Sequence, residues 1–193
     1  MKNLFVALAA VALALPSLAS AATWNIDGGH SSVDFKIRHF FTKVPGKFNT
    51  VSGEIQFDPA ALEKSSVMVT IPVESVDTNN EKRDGHLKSP DFFDVANHPE
   101  ITFKSTKFHK EGDTIKVDGM LNMRGVEKPV TLDVEFLGSG PDAWGGTRAG
   151  FEATTTLNRK DWNIEWNTVL DNGGTVLGDE VEVTLAIEAI QAK

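Results

Sequence analysis

The sequence predicts an all-β fold, an antiparallel β-barrel of about eight strands with a short helical insertion near residues 79–93. Three observations point there. Apolar residues recur at every second position in about nine separate runs, the period of a strand that buries one face. Short turn signals separate most of these runs and favour antiparallel neighbours, because a parallel pair needs a crossover of about a dozen residues or more. Only the stretch after Val76 is long and charged enough to supply a helix. Alternation alone fits a sandwich as well as a barrel. The long middle strands, short hairpins and single helical excursion favour the barrel, whose interior at about eight strands holds side chains or one small ligand.

A secretory leader comes first. Lys2 is its positive end, Leu4 to Leu15 its apolar run and Ala19-Ser20-Ala21 its cleavage site, so cutting is expected between Ala21 and Ala22. The apolar run falls short of the roughly 20 residues of a membrane span and nothing later approaches that length, so no integral membrane segment is expected. Trp24 and Ile26 begin the alternation. Val33, Phe35 and Ile37 follow, with Asp34, Lys36 and Arg38 on the opposite face, then Gly53, Ile55 and Phe57, then Val67, Val69, Ile71 and Val73. Pro72 lies inside that fourth run and cannot donate a ladder hydrogen bond, so it should mark a bulge, a strand end or the barrel seam.

Residues 75–103, SVDTNNEKRDGHLKSPDFFDVANHPEITF, break the pattern with a dense group of charges. A short helix is expected to begin after Thr78-Asn79-Asn80 and stop near Ser89-Pro90, with Arg83 and Asp84 capping and pairing inside it. His98-Pro99 should set the start of the next strand. Phe92, Phe93 and Phe103 offer apolar surface where such a lid meets the barrel mouth. Alternation then resumes at Ile101 and Phe103, continues from Ile115 to Met123 and from Val130 to Phe136, and ends with Ala149 to Leu157 and Val181 to Ala189. The turns are read at Gly28-Gly29, Asp58-Pro59, Glu111-Gly112-Asp113, Arg124-Gly125, Gly138-Ser139-Gly140-Pro141 and Asn172-Gly173-Gly174.

Without the leader about 172 residues remain, near the size of one domain and enough for a core without staples. The formal charge of −8 becomes −9 when Lys2 is removed. A negative chain with no basic stripe is a poor fit to nucleic acid or to anionic lipid surfaces, and no nucleic-acid partner is expected. With no cysteine there is neither a disulfide nor a lipid-modified N-terminal Cys, so the expectation is a soluble protein released into a Gram-negative periplasm. A homodimer is left open beside the monomer.

The inward faces are mostly Val, Ile, Leu and Phe, but Gly53, Gly119, Ala149, Ala153 and Ala189 fall among them. Small inward residues either leave room for a ligand or relieve the taper of a filled barrel, and composition does not choose. The pieces VDTNNEKRDGHLKSPDFFD and HPEITFKS, followed in order by GVEKPVTL, WGG with RAGFEA, and LNRKDW, resemble the YceI family of periplasmic lipid-binding proteins, as does the HSSVDF segment near the start. The resemblance runs from about Trp24 to Ile190. It implies a lipocalin-like barrel holding a polyisoprenoid or similar long apolar chain, with no cofactor. The lipid-binding positions then implied are Phe35, Ile37 and His39 on one strand, Ile55 and Phe57 on the next, and Val69 and Ile71 after them. Phe92 and Phe103 join from the insertion and the strand behind it, with Val117, Gly119 and Leu121. The last strands add Leu132 and Val134, Phe151 and Ala153, and Val183 and Leu185. About ten buried methylenes supply roughly 8 kcal/mol before the cost of ordering the ligand. Strands of about 9 residues at a tilt near 40° enclose a depth of roughly 20 to 25 Å, so a long isoprenoid must bend or protrude.

Catalytic and metal chemistry find little footing. Asp84, His86 and Asp91 could be arranged as metal ligands, but no HExxH, Cys pair or close His pair supports it, and no metal is expected. His30 and His39 are an odd nine residues apart, on opposite faces of a regular strand, so they should not share a metal. With no cysteine, tyrosine or GxSxG elbow, no catalytic residue is expected. The alternatives are a small cavity hydrolase or isomerase with His39 as base, His39 otherwise reading as a satisfied polar group or a head-group contact, and a filled-core structural domain. Trp144, Trp162 and Trp166 lie near loops, and Arg159 and Asp161 are expected to pair and pin the LNRKDW segment. Relatives commonly carry Gly after the aromatic, where this chain has Asn163. Asn also tolerates left-handed backbone, so the turn should survive.

Overall fold

Alternating residues roll one antiparallel sheet into a closed barrel in the computed structural model, which describes residues 21–171 and 174–193. The expected leader up to residue 20, and Asn172 and Gly173 of the last expected turn, lie outside the described residues. The strands are β1 (Ala22–Ile26), β2 (Ser32–His39), β3 (Thr42–Phe48), β4 (Ser52–Phe57), β5 (Ser66–Pro72) and β6 (Val76–Asp77), then helix α1 (Glu81–Lys88). After α1 come β7 (Glu100–Glu111), β8 (Thr114–Met123), β9 (Val126–Pro141), β10 (Thr147–Asn158) and β11 (Leu177–Gln191).

These 11 strands form eight staves, because three staves are broken in the middle. Strands β1 and β2 both lie along β11, at Trp24↔Gln191 and Val33↔Leu185, while β1 pairs with β4 and β2 with β3. The barrel therefore closes between its first and last staves, which removes the free edge of an open sheet. Pro72 ends β5, and a 3-10 turn at Val73–Ser75 separates β5 from β6. Val73, expected in the strand, instead donates its N–H to the Pro99 carbonyl at 2.8 Å. The turn expected at Gly138 to Pro141 is a further correction. Strand β9 continues through Pro141, and the reversal follows at residues 142–146, where the Asp142 carboxylate accepts the N–H groups of Trp144 and Gly146, each at 2.8 Å.

Helix α1 stands where the charged insertion predicted it, with different capping. Asn80 is the N-cap, its side chain accepting the Arg83 N–H at 3.0 Å. Arg83 and Asp84 do not pair with each other; both turn to buried Thr78. The guanidinium donates to the Thr78 hydroxyl at 2.7 Å and carbonyl at 2.6 Å, and the Asp84 carboxylate accepts the Thr78 N–H at 2.9 Å. No residue of α1 is fully buried, and the helix is held at the barrel by these polar ties together with half-buried Leu87, which packs against the core. Among the described residues no helix is long and apolar enough to cross a membrane.

The two barrel ends differ. At one end Phe57, Phe136 and Phe151 meet with centroids 5.0 to 5.3 Å apart, Phe57 and Phe151 edge to face, and make an aromatic floor. At the other end the β2–β3 turn, the insertion with α1, the Arg124-Gly125 turn and residues 159–176 surround a mouth.

Candidate functional site

Between floor and mouth the barrel encloses a cavity of about 620 Å³, within the range of pockets that bury small ligands. Its walls are the inward positions of the alternating strands. Of the positions expected to face a ligand, all but one line it: Phe35, Ile37, His39, Ile55, Phe57, Val69, Ile71, Phe92, Phe103, Val117, Leu121, Leu132, Val134, Phe151, Ala153, Val183 and Leu185. Gly119 does not. A Cβ there would lie 2.3 Å from Cζ of Phe103 and 2.7 Å from the Lys104 carbonyl oxygen, so the missing side chain makes space for the Phe103 ring rather than for a ligand. Gly53, Ala149 and Ala189 also lie off the lining, and of the small inward residues only Ala153 opens onto it.

Polar groups gather at the mouth. His39, Thr78, Asn80, Lys82, Arg83 and His86 reach the lining there, joined by Arg159 from the β10–β11 connection; deeper in, Thr155 is the polar contributor, its hydroxyl donating to the Thr131 carbonyl at 3.0 Å. The cavity is thus an apolar tube with a polar rim. His39, the conceivable base, stands at the lip with its ring 4.7 Å edge-on to Phe40. The Thr78 hydroxyl is engaged by Arg83 and Asp84, a poor start for a nucleophile.

Sequence periodicity missed several rim residues. Trp166 and Val176 come from the β10–β11 connection, which has no strand period, Leu177 opens β11 ahead of its register shift, and Val44 and Phe48 come from β3, where Pro45 and Gly46 interrupt the alternation. Trp166 meets the insertion across the mouth, its ring 5.0 Å from His86 and 5.3 Å from Phe92, and His86 lies 4.9 Å from Phe92. Nε2 of His86 is 2.8 Å from the Asp91 carboxylate, but Asp84 is committed to Thr78, so the three do not assemble as metal ligands. Where Asp27, His30 and Glu188 do converge, away from the cavity lining, a cation is already supplied: Arg148 donates to Asp27 at 2.7 Å and also to Glu188. The Arg148 hydrogen bond, followed by that of His30, pulls the Asp27 carboxyl down to about 2.

Arg159 is 3 % exposed and does not pair with Asp161. Its guanidinium donates to the carbonyls of Gly178 at 2.9 Å, Ile164 at 2.6 Å and Trp166 at 2.9 Å, with Asp179 at 3.5 Å. Burial pushes its pKa below the ordinary value, opposed by the charge of Asp179. It therefore pins the rim segment by its backbone. Trp162 plugs a notch where β9 and β10 part beyond Thr154↔Asp133, its indole N–H donating to the Leu121 carbonyl at 3.2 Å. Asn163 takes the left-handed conformation, φ 57°, so the turn survives without glycine. Trp144 is exposed at the far end, under the Arg148 guanidinium.

Comparison with known proteins gives the same barrel. The solved structure of a Campylobacter jejuni YCEI protein is 31% identical and superposes with a TM-score of 0.68 over 79% of this chain and 88% of that one. BcnA of Burkholderia cenocepacia (TM-score 0.75, 24% identical, 84% of this chain and 98% of that one) and a polyisoprenoid binding domain from Saccharophagus degradans (0.65, 16%, 89% and 99%) share the fold. In sequence, a UPF0312 protein of Vibrio parahaemolyticus is 44% identical over 167 residues, 84% of this chain and 88% of that protein. Protein YceI of Salmonella newport is 42% identical over 178 residues, 91% and 90%. The model of the YceI-like domain matches residues 24–189, nearly the whole barrel with its lid and rim, and the chain belongs to that family.

Proposed function

We propose that this protein is a periplasmic carrier that holds one polyisoprenoid or similar long-chain lipid in the barrel, after export by a leader cut between Ala21 and Ala22. The observation that carries the reading is the segregation of the cavity: an apolar tube with Phe57 and Phe151 at one end, backed by Phe136, and with its charged groups confined to the other. At about 30 Å³ for each water-sized group, the volume admits about 20 such groups, or about four isoprene units. Their burial gives roughly 16 kcal/mol at about 0.8 kcal/mol per methylene, enough to leave useful affinity after ligand ordering and lost translation. The polyisoprenoid binding named for the S. degradans neighbour supports the same ligand class.

The test is native mass spectrometry of the protein purified from its own host, followed by organic extraction. One long-chain lipid per chain, on a polypeptide that starts at Ala22, is the expected result. A protein that purifies empty and takes up neither added geranylgeraniol nor a fatty acid would end the carrier reading. An uncleaved leader would end the export reading.

A further inference from the structure

The mouth carries an apolar projection that takes no part in lining the cavity. Strands β2 and β3 are joined by a two-residue turn, Phe40-Phe41, and Phe41 is 99% exposed while Phe40 is 39% exposed. Two-residue hairpin turns favour Gly, Asn and Asp, because at least one residue must take a positive φ, and here Phe40 does so at 50°. A bulky aromatic pair at such a position breaks the local preference at solvent's expense, and such breaks concentrate where a surface has a task. Beside it stands a second apolar tip, Val169, 73% exposed. The Phe40 N–H donates to the Val176 carbonyl at 2.8 Å, and Arg38 donates to the carbonyls of Phe40 and Thr175, so the two tips are tied into one rim. Immediately inside that rim His39, Val44, Val176 and Leu177 line the cavity. The apolar wall of the tube therefore continues outward into the exposed tips.

We infer that this rim is a membrane-docking surface: Phe41, with Phe40 and Val169, enters the hydrocarbon edge of a lipid bilayer and brings the cavity mouth against it. The inference rests on the lipid-carrier reading, since a chain insoluble in water must pass between bilayer and cavity without crossing water. A side chain standing almost free of its own protein suits a fluid hydrocarbon better than a complementary protein face. The surrounding charge is mixed: Lys43 pairs with Glu182, Lys82 and Arg83 stand on the lid, and Glu165 and Asp171 lie on the Val169 side. Docking should therefore come from apolar insertion and not from attraction to anionic lipid.

Uptake of geranylgeraniol by the lipid-free protein tests this by two routes, from phosphatidylcholine vesicles that contain it and from a cyclodextrin complex without a bilayer. Replacing Phe41→Ser and Val169→Ser together, at sites whose exposure leaves little folded contact to lose, should slow uptake from vesicles by about tenfold or more. Uptake from cyclodextrin should stay within about twofold of the parent, and Phe41→Trp should retain vesicle uptake with a blue shift in added emission. Equal vesicle rates for the Ser variant and the parent would overturn docking while leaving the carrier reading intact. Vesicle uptake that requires anionic lipid and vanishes at high salt would also overturn it. So would a parent dimer that the Ser variant dissolves with no change in vesicle uptake, which would make the tips a contact between two copies. No uptake by either route would overturn the carrier reading and docking together.

Discussion

Gly119 and Ala153 look alike in the sequence, small residues on inward faces, yet opposite responses are expected when each is enlarged. At Gly119 the site is full. A new Cβ would sit 2.3 Å from the Phe103 ring and 2.7 Å from the backbone oxygen of Lys104, and that oxygen belongs to the β7–β8 pair just before its register shift at Ser105/Lys107. The ring can swing but the ladder cannot follow cheaply, so Gly119→Ala should cost about 1 to 3 kcal/mol, the usual range for overpacking. For a chain of this size that is a fall in melting temperature of roughly 2 to 12 °C. Phe103→Leu removes the nearer obstacle and should recover part of the loss in the double variant, a coupling a thermodynamic cycle measures. Ala153 opens onto the cavity. A Phe side chain there has empty volume to enter, so Ala153→Phe should melt within a few degrees of the parent while losing bound lipid. Thermal melts with lipid per chain from native mass spectrometry read both effects. Ala153→Phe retaining a full lipid complement would refute the assignment of the cavity as the binding site. A neutral Gly119→Ala would refute the packing account.

Three other outcomes follow from side chains whose surroundings are now fixed. Arg159→Met should lower stability by about 3 kcal/mol, because three carbonyls lose a buried donor, and Arg159→Lys should recover little since an ammonium cannot reproduce the fork; urea midpoints decide. The Asp27 carboxyl is held at about 2, below its ordinary 3.8, so its stabilising contribution is complete above the ordinary value and drains away as pH falls toward 2. Arg148→Gln removes the largest cause and should move the Asp27 titration upward, as carbon-detected NMR would register; an unmoved titration would show that His30 and the Gly29 N–H suffice. Asn163→Ala should cost about 1 kcal/mol because alanine tolerates a φ of 57° poorly, whereas Asn163→Gly should be nearly neutral by the same denaturation assay.

The staves were legible because a barrel wall repeats one rule, inward apolar and outward polar, at each strand. Where the rule is served by something other than an apolar side chain, reading fails. Strand β3 offers Val44 and Phe48 inward, but the position between them is Gly46, whose Cβ would lie 2.3 Å from the Phe35 ring, and Pro45 stands beside it. The neighbouring strand supplies the missing core atom, a fact no local window contains. Gly138 to Pro141 failed in the opposite direction, since turn-forming composition at the end of a 16-residue strand was overruled by the Asp142 carboxylate, which gathers the next N–H groups into the actual turn. The lid was placed by its polar composition. Its ties were misassigned because Thr78, a single buried hydroxyl with its backbone, draws both Arg83 and Asp84 away from one another.

The same division runs through the candidate site. The tube follows from alternation, but its two ends do not, and the ends decide what the tube can do. Phe136 and Phe151 are cross-strand partners on β9 and β10, but Phe57 of β4 reaches them only when the barrel closes, so a floor cannot be distinguished from three ordinary core positions before the topology is known. At the mouth, Trp166 reaches His86 and Phe92 because Arg159 fixes the carbonyls around it, an arrangement built from one long side chain and irregular backbone with no period to detect. Had the floor been open, the apolar lining would face water at both ends. Had the rim been apolar throughout, there would be nothing to orient an amphipathic ligand. An aromatic end and a polar end together would impose a direction on an amphipathic ligand: tail toward Phe57 and head toward Lys82, Arg83 and His86, with the exposed Phe41 outside them.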